Sequence, residues 1–267
     1  MKFDSNRAWQ EASAAVAASR EALFALAGVF FLVPSLAFAL FTGEPQLAAN
    51  AKPQAAMAMM QEYYLQALPW LVPVTLLQGA GSLAVLALLS HHARPTVGEA
   101  IRTGFLALLP YIAAQLLLSM GLGLAFAVPV GLGMAGAKAV ALLIGMGLAA
   151  FAFYAMIKTS LLGPVIVIEG ERNPMRALAR SWRLTKGNSA RILVFYLLIG
   201  LAFLIVTGIG AAIVGAIIAV VAGPEAGRIS GAVVQSTLGA GMTLYFVAAT
   251  AAIHRQLAGI GIGQAFD

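Results

Sequence analysis

Six runs of about 20 or more mostly apolar residues, each long enough to cross a bilayer as a helix, dominate this chain. They lie at about 22–41, 68–90, 104–127, 139–160, 191–213 and 232–254. In hydrocarbon a helix satisfies its own backbone groups, whereas a lone strand leaves them unpaired. The runs therefore predict an all-α polytopic membrane protein, one domain over residues 1–267. Composition points the same way. Apolar residues make up 61% and charged residues 10% of the chain, against about 45–50% and about 25% in soluble domains. A water-soluble fold could not hide that much apolar surface, and a bilayer removes the need to. Ala37–Ala39 has the small-x-small form of a cleavage site. A polar leader carrying Asp4, Glu11 and Glu21 precedes it, however, so a retained first span is expected.

Orientation follows from the gaps between the runs. All but Lys52, Lys138 and Arg228 of the sixteen Lys and Arg fall on one side. By the positive-inside rule that side is cytoplasmic and holds both termini, as in a multi-pass protein of the bacterial inner membrane. The net charge of +6 sits in short gaps instead of spreading over a polar face, so no nucleic-acid partner is expected. With no cysteine, thiolate chemistry and disulfides are excluded.

Each apolar hairpin follows a helix-forming segment with a capping residue, Asp4, Thr96 or Asn173. This suggests short amphipathic interfacial helices and leaves open a threefold repeat of surface helix and hairpin. The third segment is the most basic. In "EGERNPMRALARSWRLTKGNSARIL", Asn173 caps, Pro174 fits the first turn and Gly187 suits a left-handed end. Met175, Leu178 and Trp182 share one face, and Arg176, Arg180 and Arg183 another. The pattern is that of a helix lying among headgroups, with Trp182 as anchor and Arg172, Arg176, Arg180, Arg183, Lys186 and Arg191 near phosphates. Just upstream, "LLGPVIVI" with Gly163-Pro164 reads as a kinked extension or a surface-lying piece.

"PVIVIEG" followed by "ALARSWRLTKGNSARIL" resembles the signature of the glycerophosphoryl diester phosphodiesterase membrane-domain family, and is similar to YciC-type six-helix inner-membrane proteins. The residues that carry the likeness are Pro164, Glu169, Gly170, Ala177, Leu178, Ser181, Trp182, Leu184, Thr185, Lys186 and Gly187. The resemblance implies a membrane-helix domain and no activity of its own.

Catalysis is not expected. A phosphodiesterase needs carboxylates converging on a metal, with a base for proton transfer. The ten acidic residues are scattered among the gaps, and no residues remain outside the spans for a soluble barrel. His91-His92 lack a third ligand at zinc spacing and read as a polar helix end, as does His254-Arg255. "MAMMQEYY" at 57–64 reads as an interfacial helix whose Met57, Met60 and Tyr64 face lipid. Lys158 sits where it can snorkel. A break at Gly208-Ile-Gly210 is expected in the fifth run. No cofactor or metal is implied. The function expected is a non-catalytic inner-membrane protein whose basic rim binds anionic phospholipid or a membrane-protein partner, with homo-oligomers as an option. The alternative is a small-molecule or lipid transporter using a cavity among the helices.

Overall fold

Three local caps start the helices that frame the molecule. A computed structural model describes residues 2–42, 52–90 and 95–259. His91-His92 and Arg94 lie outside the described residues, as do Glu44 and Asp267. Asp4 accepts from the backbone N–H of Asn6 and Arg7 and opens α1 (Ser5–Ala18). The span that follows is α2 (Arg20–Ala27), a five-residue π turn (Gly28–Leu32) and α3 (Val33–Thr42). Pro34 explains the π turn. It offers no N–H to the Phe30 carbonyl and its ring crowds that oxygen, so the helix widens and the N–H of Val33 reaches back to Gly28.

The other elements are α4 (Pro53–Leu88), α5 (Val97–Met134), α6 (Lys138–Lys158), α7 (Leu162–Val167), α8 (Pro174–Leu184), α9 (Ser189–Ala222) and α10 (Pro224–Ala258). Six helical stretches are long and apolar enough to cross a membrane: Arg20–Thr42, Gln54–Leu88, Val97–Met134, Lys138–Val167, Ser189–Ala222 and Pro224–Ala258. Large apolar side chains such as Leu109, Leu143, Leu204 and Val220 stand on their outer faces. The chain is an all-α polytopic membrane protein.

The helices outrun the apolar runs, and this corrects several expectations. Residues 57–64 are not a separate interfacial helix; they form the first turns of α4. Thr96 closes a capping box with Glu99 directly at the start of α5. The second surface helix is thus fused into its span, and only α1 and α8 stand as separate short helices at hairpin starts. The expected break at Gly208-Ile-Gly210 is absent, because α9 runs unbroken to Ala222. Two glycines do not stop a helix in an apolar stretch, where the backbone groups have no other partner, and the Thr207 hydroxyl turns back onto the Phe203 carbonyl. Gly223, with φ of +93°, makes the turn into α10 instead.

Packing is uneven. Of the most apolar window of each span, 56% is buried in α10 but only 6% in α5. The core gathers at the end of the bundle that holds α1, α7 and α8: Ala8, Ala12 and Val16 of α1, Leu83–Leu86 of α4, and Val247–His254 of α10. Small residues bring the backbones together. A Cβ on Gly104 would lie 2.5 Å from the Ala80 carbonyl oxygen of α4, and one on Gly227 would lie 2.7 Å from the Gly215 oxygen of α9. The N-terminal segment is tied down twice. The N–H of Phe3 donates to Asn188 Oδ1 at 2.9 Å and that of Asp4 to Gln256 Oε1 at 3.3 Å. Trp9 stacks on Tyr245 of α10, ring centroids 5.9 Å apart.

Candidate functional site

The basic segment begins as its sequence suggests. Asn173 Oδ1 accepts from the N–H of Met175 at 3.0 Å and of Arg176 at 3.1 Å, and Pro174 occupies the first turn of α8. The helix closes at Thr185, and Gly187 takes a φ of +81° in the turn to α9. Gly170, with φ of +72°, turns the chain between α7 and α8.

The helix does not lie free among headgroups. It docks by the face that carries Ala177, Ser181 and Leu184, all buried. The last carbonyls of α6 lack partners inside that helix; the backbone N–H groups of Thr159 and Ser160 reach those of Ala155 and Ile157, and nearby hydroxyls add to them. Thr159 donates to Ala155 at 2.9 Å, Ser160 to Ile157 at 2.8 Å, and Ser181 crosses from α8 to the carbonyl of Lys158 at 2.8 Å. Thr185 donates to the Ser181 carbonyl at 3.0 Å, one turn back. "LLGPVIVI" is likewise not a surface piece. Leu161 to Ile166 are buried, and a Cβ on Gly163 would lie 2.9 Å from Leu86 Cδ1. Pro164 belongs to this short buried helix.

Glu169 leaves α7 and joins three elements. Its Oε2 accepts from Arg180 Nε at 2.8 Å and its Oε1 from Arg180 Nη2 at 3.0 Å, a two-pronged charge-assisted pair. Oε1 also meets His254 Nε2 of α10 at 2.9 Å. A carboxylate oxygen only accepts, so Nε2 carries the proton. His254 is therefore no polar helix end. It is fully buried, and α10 continues past it to Ala258. Burial pushes the Glu169 carboxyl up, but the hydrogen bonds from Arg180 and His254 outweigh it and hold it below the ordinary carboxylate range. The same bond raises the pKa of Arg180. Glu171 accepts from the N–H of Asn173 at 2.9 Å and steadies the turn.

Lys158 does not snorkel either. It is 2% exposed, with Nζ 5.3 Å from the ring centre of Tyr154 and 5.8 Å from that of Trp182. The aromatic faces replace water around the ammonium, a contact worth about 2 kcal/mol when desolvated. Trp182 is consequently half-buried and edge-on to Tyr154.

Of the seven residues assigned to headgroups, two are thus committed inside the protein, Arg180 to Glu169 and Trp182 to Tyr154 and Lys158. Arg172, Arg176, Arg183, Lys186 and Arg191 are exposed and form no ion pair among the described residues. Met175 and Leu178 of α8 line an apolar groove of about 390 Å³ together with Leu117, Leu118 and Leu122 of α5 and Phe151 of α6. The role of His254 was missed in the sequence, where it reads as a polar helix end. Its signal was a lone imidazole ending the Ala-rich face of α10, but Glu169 lies 85 residues away. No protein-family model, curated protein or solved structure matches the chain, so what this corner does is read from its geometry.

Proposed function

We propose that the protein is a non-catalytic inner-membrane component whose cytoplasmic rim holds anionic phospholipid at α8. One observation carries this: α8 is fixed by its Ala177, Ser181 and Leu184 face, while Arg172, Arg176, Arg183, Lys186 and Arg191 on and around it are exposed without an ion pair among the described residues, and its Met175 and Leu178 line a groove of acyl-chain character. Phosphate meets the guanidiniums and a chain lies against Met175 and Leu178. The positive-inside bias supports a cytoplasmic position for this rim. Each basic group near an anionic surface contributes about 1 kcal/mol. Replacing Arg176 and Arg183 by Gln, with Arg180 left to hold Glu169, is expected to weaken retention of phosphatidylglycerol by roughly 30-fold. Native mass spectrometry of the protein extracted from mixed phosphatidylglycerol and phosphatidylcholine vesicles reads this directly. Equal phosphatidylglycerol retention by the double variant and the native chain, both correctly inserted, would reject the assignment.

A further inference from the structure

Polar groups in the other half of the bundle converge on a cavity of about 480 Å³ between α3, α4 and α10, within the size range of small-molecule sites. Gly239 on its wall precedes His254 by about four turns of α10, roughly 22 Å at 1.5 Å per residue, so the cavity lies well away from the Glu169 corner. Ser35 of α3, Thr75 and Gln78 of α4, and Arg228, Gln235 and Ser236 of α10 all line it. Gln78 Nε2 donates to Ser35 Oγ at 2.9 Å and joins two of the walls.

Thr75, Gln235 and Ser236 have no side-chain hydrogen bond among the described residues. Thr207, Thr237 and Thr243, by contrast, turn their hydroxyls back onto a carbonyl of the preceding turn. Hydrogen-bonding groups left open within a span are unfavourable unless something polar meets them. The charge balance narrows what that is. Arg228 is bridged to Glu225 by two bonds of 2.8 and 3.2 Å. Among the described residues the wall thus offers no uncompensated cation to hold a phosphate and no spare carboxylate to hold an amine. Amides and hydroxyls donate and accept alike, which suits a ligand with several hydroxyls. Leu71 and Val74 beside them suit an attached chain.

We propose that this cavity binds an uncharged, hydroxyl-rich head group, a sugar or polyol, carried by an amphiphile. The test uses the full chain in phosphatidylcholine nanodiscs and a photoreactive dodecyl glucoside, with labelled residues mapped by mass spectrometry. Saturable labelling around the cavity is expected, displaced by dodecyl glucoside and not by dodecyl phosphate. Gln235→Leu should lower labelling about fivefold, the effect of one lost hydrogen bond, with the native melting temperature kept. Thr75→Val, nearly isosteric, is the second variant and should act in the same direction. Displacement by free glucose as well would show that the head alone is recognised; displacement by the alkyl glucoside alone would show that the chain is needed. Labelling spread over all lipid-facing helices, equal displacement by dodecyl phosphate, or native labelling of both variants would overturn the proposal.

Discussion

The Glu169 corner and the α3–α4–α10 cavity are both polar regions in an apolar bundle, and they handle polarity in opposite ways. In the corner, polar groups on separate elements are matched to one another. Glu169 meets Arg180 and His254, and Ser181 meets the Lys158 carbonyl. In the cavity Gln78 bonds to Ser35 and Thr42 to Tyr63 across α3 and α4, while Thr75, Gln235 and Ser236 make no side-chain hydrogen bond among the described residues. Matched groups join elements; open groups add nothing to folding and are placed to meet something else. Substitutions of matched groups should therefore lower stability, and substitutions of the open groups in the cavity should spare it.

The largest effect is expected from Glu169→Ala, which strips Arg180 and buried His254 of their acceptor. Hydrogen bonds to charged groups contribute about 1.5–3 kcal/mol. Thermal unfolding in detergent should fall accordingly. In the native chain, which has no cysteine, an Ala177→Cys reporter should become roughly tenfold more reactive once Glu169 is gone, the equivalent of about 1.4 kcal/mol of docking. A reporter equally protected with and without Glu169 would dissolve the contrast between the two regions.

Acid sharpens the same point. Glu169 has a folded-state pKa below its ordinary value, so its contribution is intact above the usual carboxylate range. It is lost as pH falls through the lowered value. Melting curves should hold steady above the usual carboxylate range, drop as the pH falls through it and level off below the lowered value, and Glu169→Gln should flatten this dependence. Ser181→Ala comes next, at about 1 kcal/mol for one buried hydrogen bond, measured by the same unfolding. Gln78→Leu should cost less, about 0.6 kcal/mol, the average for a bond between membrane helices. Gln235→Leu should cost nothing measurable. A clear destabilisation by Gln235→Leu would mean that the cavity, too, is structural.

What the sequence made legible is what local chemistry decides. The six spans follow from apolar length, the starts of α1, α5 and α8 from Asp4, Thr96 and Asn173, and the turn after α8 from Gly187. Contacts across the chain were not legible. The eye-catching pattern in α8 was Met175, Leu178 and Trp182 against the arginines, yet the docking face is the plainer series Ala177, Ser181, Leu184. Ala177 and Ser181 carry little hydrophobic signal, and their value lies in how closely a neighbour can approach. Lys158 and His254 were read as helix ends because a charge in an apolar run is usually placed for water. Their partners, Trp182 and Glu169, come from distant segments.

The ties at Phe3, Asp4 and Trp9 also bear on how the molecule is made. The leading turns rest on Asn188, Gln256 and Tyr245, residues that leave the ribosome long after the first helix has been threaded into lipid. Until the closing hairpin arrives, α1 and the residues before it have nowhere to settle, so a piece made before the spans is among the last to find its place.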